Sequence, residues 1–434
     1  VARILMVAPP FSGHLHPVLA IARRLNQEHD VLFVSSESAS ARIAAAGLRA
    51  RPVLRGADAA IQAIAEPPYA VRSNPLLLNR QLKANVALMR RFHDDLSAVC
   101  ESYRPALLIA DFVLPVAGLV AKARDIPWWT SMPSPSVIES LDGPPNYLGG
   151  LVPLAGVRGK IRDAAGRALI RGFKHTVFAL YRKQLAWTGL RSPYRPDGTE
   201  AVYSDECVLA LGIREIEFAR RWRAPVRFVG PLCYTPGAAD IVVPGGPGAA
   251  DTVVPGGPDA ADTVVRNGRP GPHVLVTLGT HLRSFKEAAA NATRRAARSL
   301  PHVTFHFTDG DRAAPTAEQD GNFIRSPFVS YDANVRHCDL VVHHAGTGIA
   351  NQCLLDGIPA LVHPLDFDQY DHAARFVQAG IARRLDDLNA LAPAVEAALA
   401  DTALKSACRR FQHIAAKYNA PETIARMVRE RLAR

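Results

Sequence analysis

From the start of the chain, short runs rich in Val, Ile and Leu alternate with stretches whose apolar residues recur every three or four positions. Runs of the first kind suit strands buried on both faces, and the second kind suits amphipathic helices packed against them. The pattern predicts a strand over 3–9, a helix over 17–27 and a strand over 31–35. Parallel strands joined this way cross over right-handedly, which begins a doubly wound α/β domain. Further strands are predicted at 106–111, 128–132, 207–211 and 226–230. At His273 the pattern starts afresh with HVLVTLG, VTFHFTD, NFIRSPF, DLVVHH and ALVHP, each followed by a loop or helix. Two Rossmann-like domains in tandem follow, over 1–235 and 273–418, with a last helix in 419–434.

Between the domains, 236–272 holds three 11-residue units that begin at Pro236, Pro247 and Pro258: PGAADIVVPGG, PGAADTVVPGG and PDAADTVVRNG. Their Pro, Gly and Ala content cannot bury enough apolar area to offset chain entropy, so a flexible linker is expected.

Composition narrows the class. A chain of 434 residues with 48% hydrophobic content exceeds what one core usually organises. No run approaches the roughly 20 apolar residues of a membrane span, and VARILMVAPP reads as a strand rather than a leader. A soluble, cytoplasmic protein is expected. The six cysteines form no CxxC pair, which argues for reduced core thiols and against a zinc site. The net charge of +11 is spread over many helices without a nucleic-acid-binding signature, and it suits phosphate-bearing ligands or an anionic membrane surface. In 131–195, Lys160, Arg162, Arg167, Arg171, Lys174, Arg182 and Lys183 lie among apolar residues. A helix with this composition is expected to present a solvated outer face; lying on anionic lipid is the alternative.

Candidate chemistry gathers at strand ends. The first strand runs into PPFSGHLHP, which puts His14 at the carboxyl edge of the sheet beside Gly13, with His16 as a competitor. LLIAD ends at Asp111, which is either a cap for a helix starting near Leu114 or the partner that orients His14. In the second half, DLVVHH enters Ala345-Gly346-Thr347-Gly348, and a helix over 349–356 follows and stops at Gly357. Strand, glycine turn and helix N-terminus make an anion site suited to a diphosphate, with His344 and the strand end Gly279-Thr280 as further donors. No Lys-Ser or Lys-Thr follows these glycines, so the turn is not a P-loop. Asp366-Phe367-Asp368 has the look of a metal triplet but is read as a sugar-binding loop, with no metal required.

With SGHLHP, VGPL, LVTLGT and HHAGTGIANQCLLDGIPALVHPLDFDQYDHA in this order, the chain resembles the inverting GT-B glycosyltransferases. The resemblance implies two such domains facing across a cleft, with the terminal helix crossing back onto the first. By position it places a general base at His14 and its orienting partner at Asp111. A diphosphate cradle falls at His344, Gly346, Thr347, Gly348 and Ile349, an aromatic ring for the nucleobase at Phe328 beside Val329, and donor-sugar contacts at Asp368 and Gln369. Gln352 stands where the family often has a ribose-binding Glu, and His372 where many members have Asn, so a UDP- or dTDP-sugar is the expected donor. The implied reaction is transfer of a hexose to a small hydrophobic acceptor. A lipid or fatty-acid-like acceptor, a nucleotide-sugar epimerase and a catalytically silent partner protein are the rival readings, with oligomeric state left open.

Overall fold

The computed structural model describes residues 1–65, 75–223, 225–234, 240–243, 252–255, 271–311, 314, 318–366 and 368–434. In β1 (Arg3–Val7), Ile4 and Met6 enter one hydrophobic cluster while Leu5 and Val7 enter another, so both faces of the strand are covered. This accounts for the unbroken apolar run. β1 lies centrally in a parallel sheet with β2 (Asp30–Ser35), β3 (Arg49–Pro52), β4 (Leu107–Asp111), β5 (Trp128–Met132), β6 (Val208–Ala210) and β7 (Val226–Phe228), in the order β3-β2-β1-β4-β5-β6-β7.

β8 (Asp240–Val243) and β9 (Thr252–Pro255) pair antiparallel within the repeats. Part of the expected flexible linker thus forms a short ribbon. The rest of 236–270 lies outside the described residues.

A second sheet joins β10 (His273–Thr277), β11 (Thr304–Thr308), β12 (Glu318–Asp320), β13 (Phe323–Ser326), β14 (Leu340–His343), β15 (Ala360–Val362) and β16 (Ala382–Arg384). Its order is β12-β13-β11-β10-β14-β15-β16, and only the β12–β13 pair is antiparallel. The two sheets make the two lobes of a GT-B fold. In each, the strand order reverses beside the first strand, between β1 and β4 and between β10 and β14. Ligands of doubly wound folds bind at such switch points, outside the carboxyl ends of the strands.

Six helices frame the site: α1 (Ser12–Leu25), α2 (Val116–Lys122), α3 (Gly156–Leu180), α4 (Thr347–Asp356), α5 (Gln369–Gln378) and α6 (Ala420–Leu432). α1 starts five residues before the expected position, because Pro17 sits inside it. The missing N–H leaves only the carbonyl of exposed Gly13 unbonded, which water can satisfy. α6 returns to the first lobe: Ala420, Ile424, Ala425 and Val428 belong to the cluster of Ile4 and Met6, and Glu422 accepts from Arg24 at 2.8 Å.

α3 departs from the expected solvated basic face. Arg171 and Lys174 turn inward to Glu139 at 3.0 and 2.7 Å, Lys174 also reaches Glu200 at 2.6 Å, and Arg162 pairs with buried Asp163 at 2.7 Å. Its outer face is apolar instead, with Val157, Ile161, Leu169, Phe173 and Leu180 exposed.

Candidate active site

β1 and β4 are neighbours in register, Val7 beside Ala110, so the residues just beyond them meet. His14 Nδ1 lies 3.0 Å from Asp111 Oδ1, with the imidazole 27% exposed and the carboxylate wholly buried. His14 is on the first turn of α1 rather than in the expected loop. Gly13 is helical too and makes no sharp turn; a Cβ there would meet nothing within 4 Å. Asp111 does not cap α2, which has Pro115 at its N-cap and no side-chain cap. Its Oδ1 accepts instead from His14 and from the Val113 amide at 3.1 Å, and Oδ2 has no partner among the described residues.

With Nδ1–H donated to the carboxylate, His14 Nε2 keeps its lone pair. Burial pulls the His14 pKa down, but the charge and hydrogen bond of Asp111, aided by the charge of Asp368, outweigh it and leave the pKa raised. His16 does not share this setting. Its ring packs edge-on against Tyr234, and burial lowers its pKa to about 4.

In the second lobe, Thr277 of β10 pairs with His343 of β14, bringing the next loops together. α4 has Gly346 as N-cap and no capping side chain, and its first intrahelical bond runs from the Ala350 amide to the Gly346 carbonyl. The amides of Thr347, Gly348 and Ile349 precede that bond and form the positive end of the helix. The His344 ring fills the space between the two loops. A Cβ on Gly346 would lie 2.2 Å from its Nε2, and one on Gly279, which has φ +73°, would lie 2.8 Å from its Cε1. Burial lowers the His344 pKa to about 4 against the charge of Asp368 and a backbone hydrogen bond at Thr277, so the ring is neutral near pH 7. Ala345 holds φ +67° without being a glycine. Its amide donates to His343 Nδ1 at 3.0 Å, and its carbonyl lies 3.0 Å from His372 Nδ1. His372 therefore braces the turn.

Other expected contacts divide. Thr280 and Phe328 are half-buried beside the strand ends, whereas the Val329 side chain is buried in the core. Gln352 is buried and donates to Asp356 at 2.8 Å, within its own helix. Gln369 directs its Oε1 to the amides of Leu365 and Asp366 at 2.9 and 3.1 Å, bracing the loop. Asp368 accepts from Ser134 of the first lobe, and its charge acts on both His14 and His344. Phe11 and His281 also meet across the lobes with ring centroids 5.4 Å apart. Among the described residues no three His, Cys, Asp or Glu side chains converge as a metal site would.

The sequence reading missed the residues that join the lobes. Buried Glu217 bonds Arg375 of α5 at 2.7 Å and Arg220 at 3.0 Å, and the Tyr147 amide donates to buried Asp371 at 2.8 Å. Nothing local sets these charges apart, because Glu217 lies in IREIEFARRWR and Asp371 and Arg375 lie in DFDQYDHAAR, among many other charges.

Residues 273–427 match the family described as glycosyltransferase family 28 C-terminal domain. This match covers the second lobe, and the two lobes together have the GT-B fold. Among curated proteins it is similar to the Saccharomyces cerevisiae sterol 3-beta-glucosyltransferase, 33% identical over 100 residues, covering 22% of this chain and 8% of that one. It is also similar to the Streptomyces fradiae O-mycaminosyltylonolide 6-deoxyallosyltransferase, 29% identical over 169 residues, covering 37% of this chain and 38% of the relative. The matches thus span well under two thirds of either relative. Among solved structures, the glycotransferase of kitacinnamycin aligns with a TM-score of 0.73 at 20% identity over 99% of both chains. The calicheamicin glycosyltransferase aligns at 0.69 and 18% identity, over 100% of this chain and 98% of that one. The spinosyn rhamnosyltransferase complexed with thymidine diphosphate aligns at 0.60 and 20% identity, over 98% and 100%. At such identities these structures speak for the fold.

Proposed function

We propose that the chain moves a hexose from a UDP- or dTDP-sugar onto a hydroxyl of a small hydrophobic acceptor, by one inverting displacement that needs no metal ion. The observation that carries this reading is the reach of Asp368. It stands at the start of α5 in the second lobe yet accepts a hydrogen bond from Ser134 of the first, and its charge favours protonation of both His14 and His344. A base and an anion cradle thus flank one cleft, with a sugar-binding carboxylate between them.

In the reaction, His14 Nε2 accepts the acceptor's hydroxyl proton while that oxygen attacks the anomeric carbon. The bond to the diphosphate breaks on the opposite face, which inverts the centre. Asp111 stabilises the imidazolium that forms. The leaving diphosphate is met by the α4 amides and by neutral His344 as an N–H donor, which act as preorganised dipoles. A nucleoside diphosphate leaves as a stable anion, so no second carboxylic acid is required.

The thymidine diphosphate complex of the structurally similar spinosyn rhamnosyltransferase supports dTDP as a carrier alongside UDP. A lipid-like acceptor is the second reading, favoured by the apolar outer face of α3. Thermal shifts with UDP, dTDP and GDP test the donor first, since a ligand stabilises the state that binds it. His14→Ala should lower turnover about 10²- to 10⁴-fold with donor binding unchanged. Equal turnover of the two proteins would remove His14 as the base.

A further inference from the structure

The outer face of α3 has a composition that water does not favour. From Ile161 to Leu180 no exposed side chain is an Asp, Glu, Lys or Arg, His175 is the one exposed ring nitrogen group, and the large apolar Ile161, Leu169, Phe173 and Leu180 are 61% to 71% exposed. Alanines and a glycine fill most of the intervening outer positions. The exposed Thr176 directs its hydroxyl back to the Gly172 carbonyl at 2.9 Å, so it offers little to solvent. This stripe runs for about 30 Å along the helix. Contiguous exposed apolar surface on this scale marks a contact with something other than water.

Charge identifies the contact. Arg158 and Lys160 precede the stripe, Arg182 and Lys183 follow it, and all four are exposed. The only acid between 143 and 196 is Asp163, which is buried against Arg162. An apolar face with cations at both ends fits a surface that is apolar within and negative at its rim. A second copy of the chain does not fit, because a two-fold pairing of the helices would set Arg158 and Lys160 of one copy against Arg182 and Lys183 of the other.

We propose that α3 lies flat on an anionic lipid bilayer, with Leu169 and Phe173 at the centre of the buried face and the flanking Arg and Lys reaching the headgroups. No described helix is long and apolar enough to cross a membrane, so this is contact along the surface. The exposed apolar surface continues through Leu154 and Val152 to Tyr147, whose amide bonds Asp371 where the lobes meet. Docking does not depend on the transfer reaction; only its use, which is to admit a lipophilic acceptor, rests on that reading.

The test is co-sedimentation of the full chain with vesicles of phosphatidylglycerol and phosphatidylcholine in equal parts, against phosphatidylcholine alone, at low salt and with no donor or acceptor present. Failure of the transfer reading would leave its result untouched. Binding to the anionic vesicles is expected, and it should weaken at least about tenfold in Leu169→Asp/Phe173→Asp. Arg158→Glu/Lys183→Glu should weaken it by roughly fivefold or more per residue. A Phe173→Trp reporter should shift to the blue on the anionic vesicles. Unchanged thermal unfolding of these surface variants establishes that they remain folded. Absence of vesicle binding by the wild type, or binding that survives the paired aspartates, overturns the proposal. So does a wild-type dimer that ignores vesicles and dissociates in the paired-aspartate variant, which would assign the stripe to a second copy.

Discussion

Asp111→Asn removes a charge from the proposed base pair while leaving room for its hydrogen bonds. Asp111 Oδ1 serves both His14 and the Val113 amide, whereas Oδ2 is unpartnered among the described residues. An Asn can therefore set its carbonyl oxygen at the first position and its nitrogen at the second, keeping the ring orientation and tautomer. What disappears is the attraction that grows as His14 becomes an imidazolium. For unit charges about 4 Å apart this is about 4 kcal/mol at an effective dielectric of about 20. With the proton about half transferred in the transition state, roughly 2 kcal/mol is lost, or about 30-fold in kcat. The pH profile gives an independent reading. Burial opposes protonation of His14, and Asp111 and then Asp368 reverse that effect, so the pKa stands above its ordinary value. Catalysis needs the neutral ring, so wild-type kcat should fall as pH drops through this raised value. Without the charge at position 111, burial dominates and the fall should begin at lower pH. Release of nucleoside diphosphate to a phenolic model acceptor, followed from pH 5 to 9, measures both effects. A rate within about threefold of wild type together with an unmoved acid limb would refute this account of the pair.

Three further outcomes are expected. Gly279→Ala places a methyl 2.8 Å from His344 Cε1 at a backbone φ of +73°, so it should displace the ring and weaken UDP or dTDP binding about 10- to 100-fold; calorimetry showing unchanged affinity counts against the cradle. Glu217→Gln leaves Arg220 and Arg375 without their paired carboxylate, with only the charge of buried Asp371 nearby, and should cost about 3 kcal/mol in denaturant unfolding. Burial pushes the Glu217 pKa up, but Arg375 and Arg220 outweigh it and hold the value below 4.5, so this stability is present above that pH and is lost as pH falls through the lower folded value. The Gln variant should lack that part of the acid sensitivity. Turnover should persist in excess EDTA, and strict dependence on a divalent ion would oppose the helix-end reading.

The central strands were readable because burial on both faces imposes unbroken apolar runs. Residues 128–132 were placed to the residue and β1, β2, β4, β6 and β7 to within two at either end, whereas the edge strand β3, whose RARP carries no apolar run, was missed. His14 and Asp111 could be named because both follow such strands, and adjacency of β1 and β4 turned two strand ends into one pair. The helix start was misplaced because Pro17 looks like a beginning, yet one missing bond at an exposed carbonyl is tolerated. Periodicity also misjudged α3, since it counts charges without saying which side they face. Glu139 and Glu200 draw Arg171 and Lys174 inward from 26 to 35 residues away, and nothing local records that. The same holds for Glu217–Arg375 and Ser134–Asp368, separated by 158 and 234 residues, which exist only once two lobes have docked.

The placement of α6 bears on how the protein is made. Its Ile424 and Val428 pack in the same cluster as Ile4 and Met6, although synthesis separates β7 from α6 by the whole second lobe. At about 5–20 residues per second, the nascent first sheet waits roughly 10 to 40 s with that flank uncovered. Cotranslational maturation of the first lobe is thus contingent on its distant neighbour, and a fragment ending at β7 should be rescued from aggregation by adding the α6 peptide in trans.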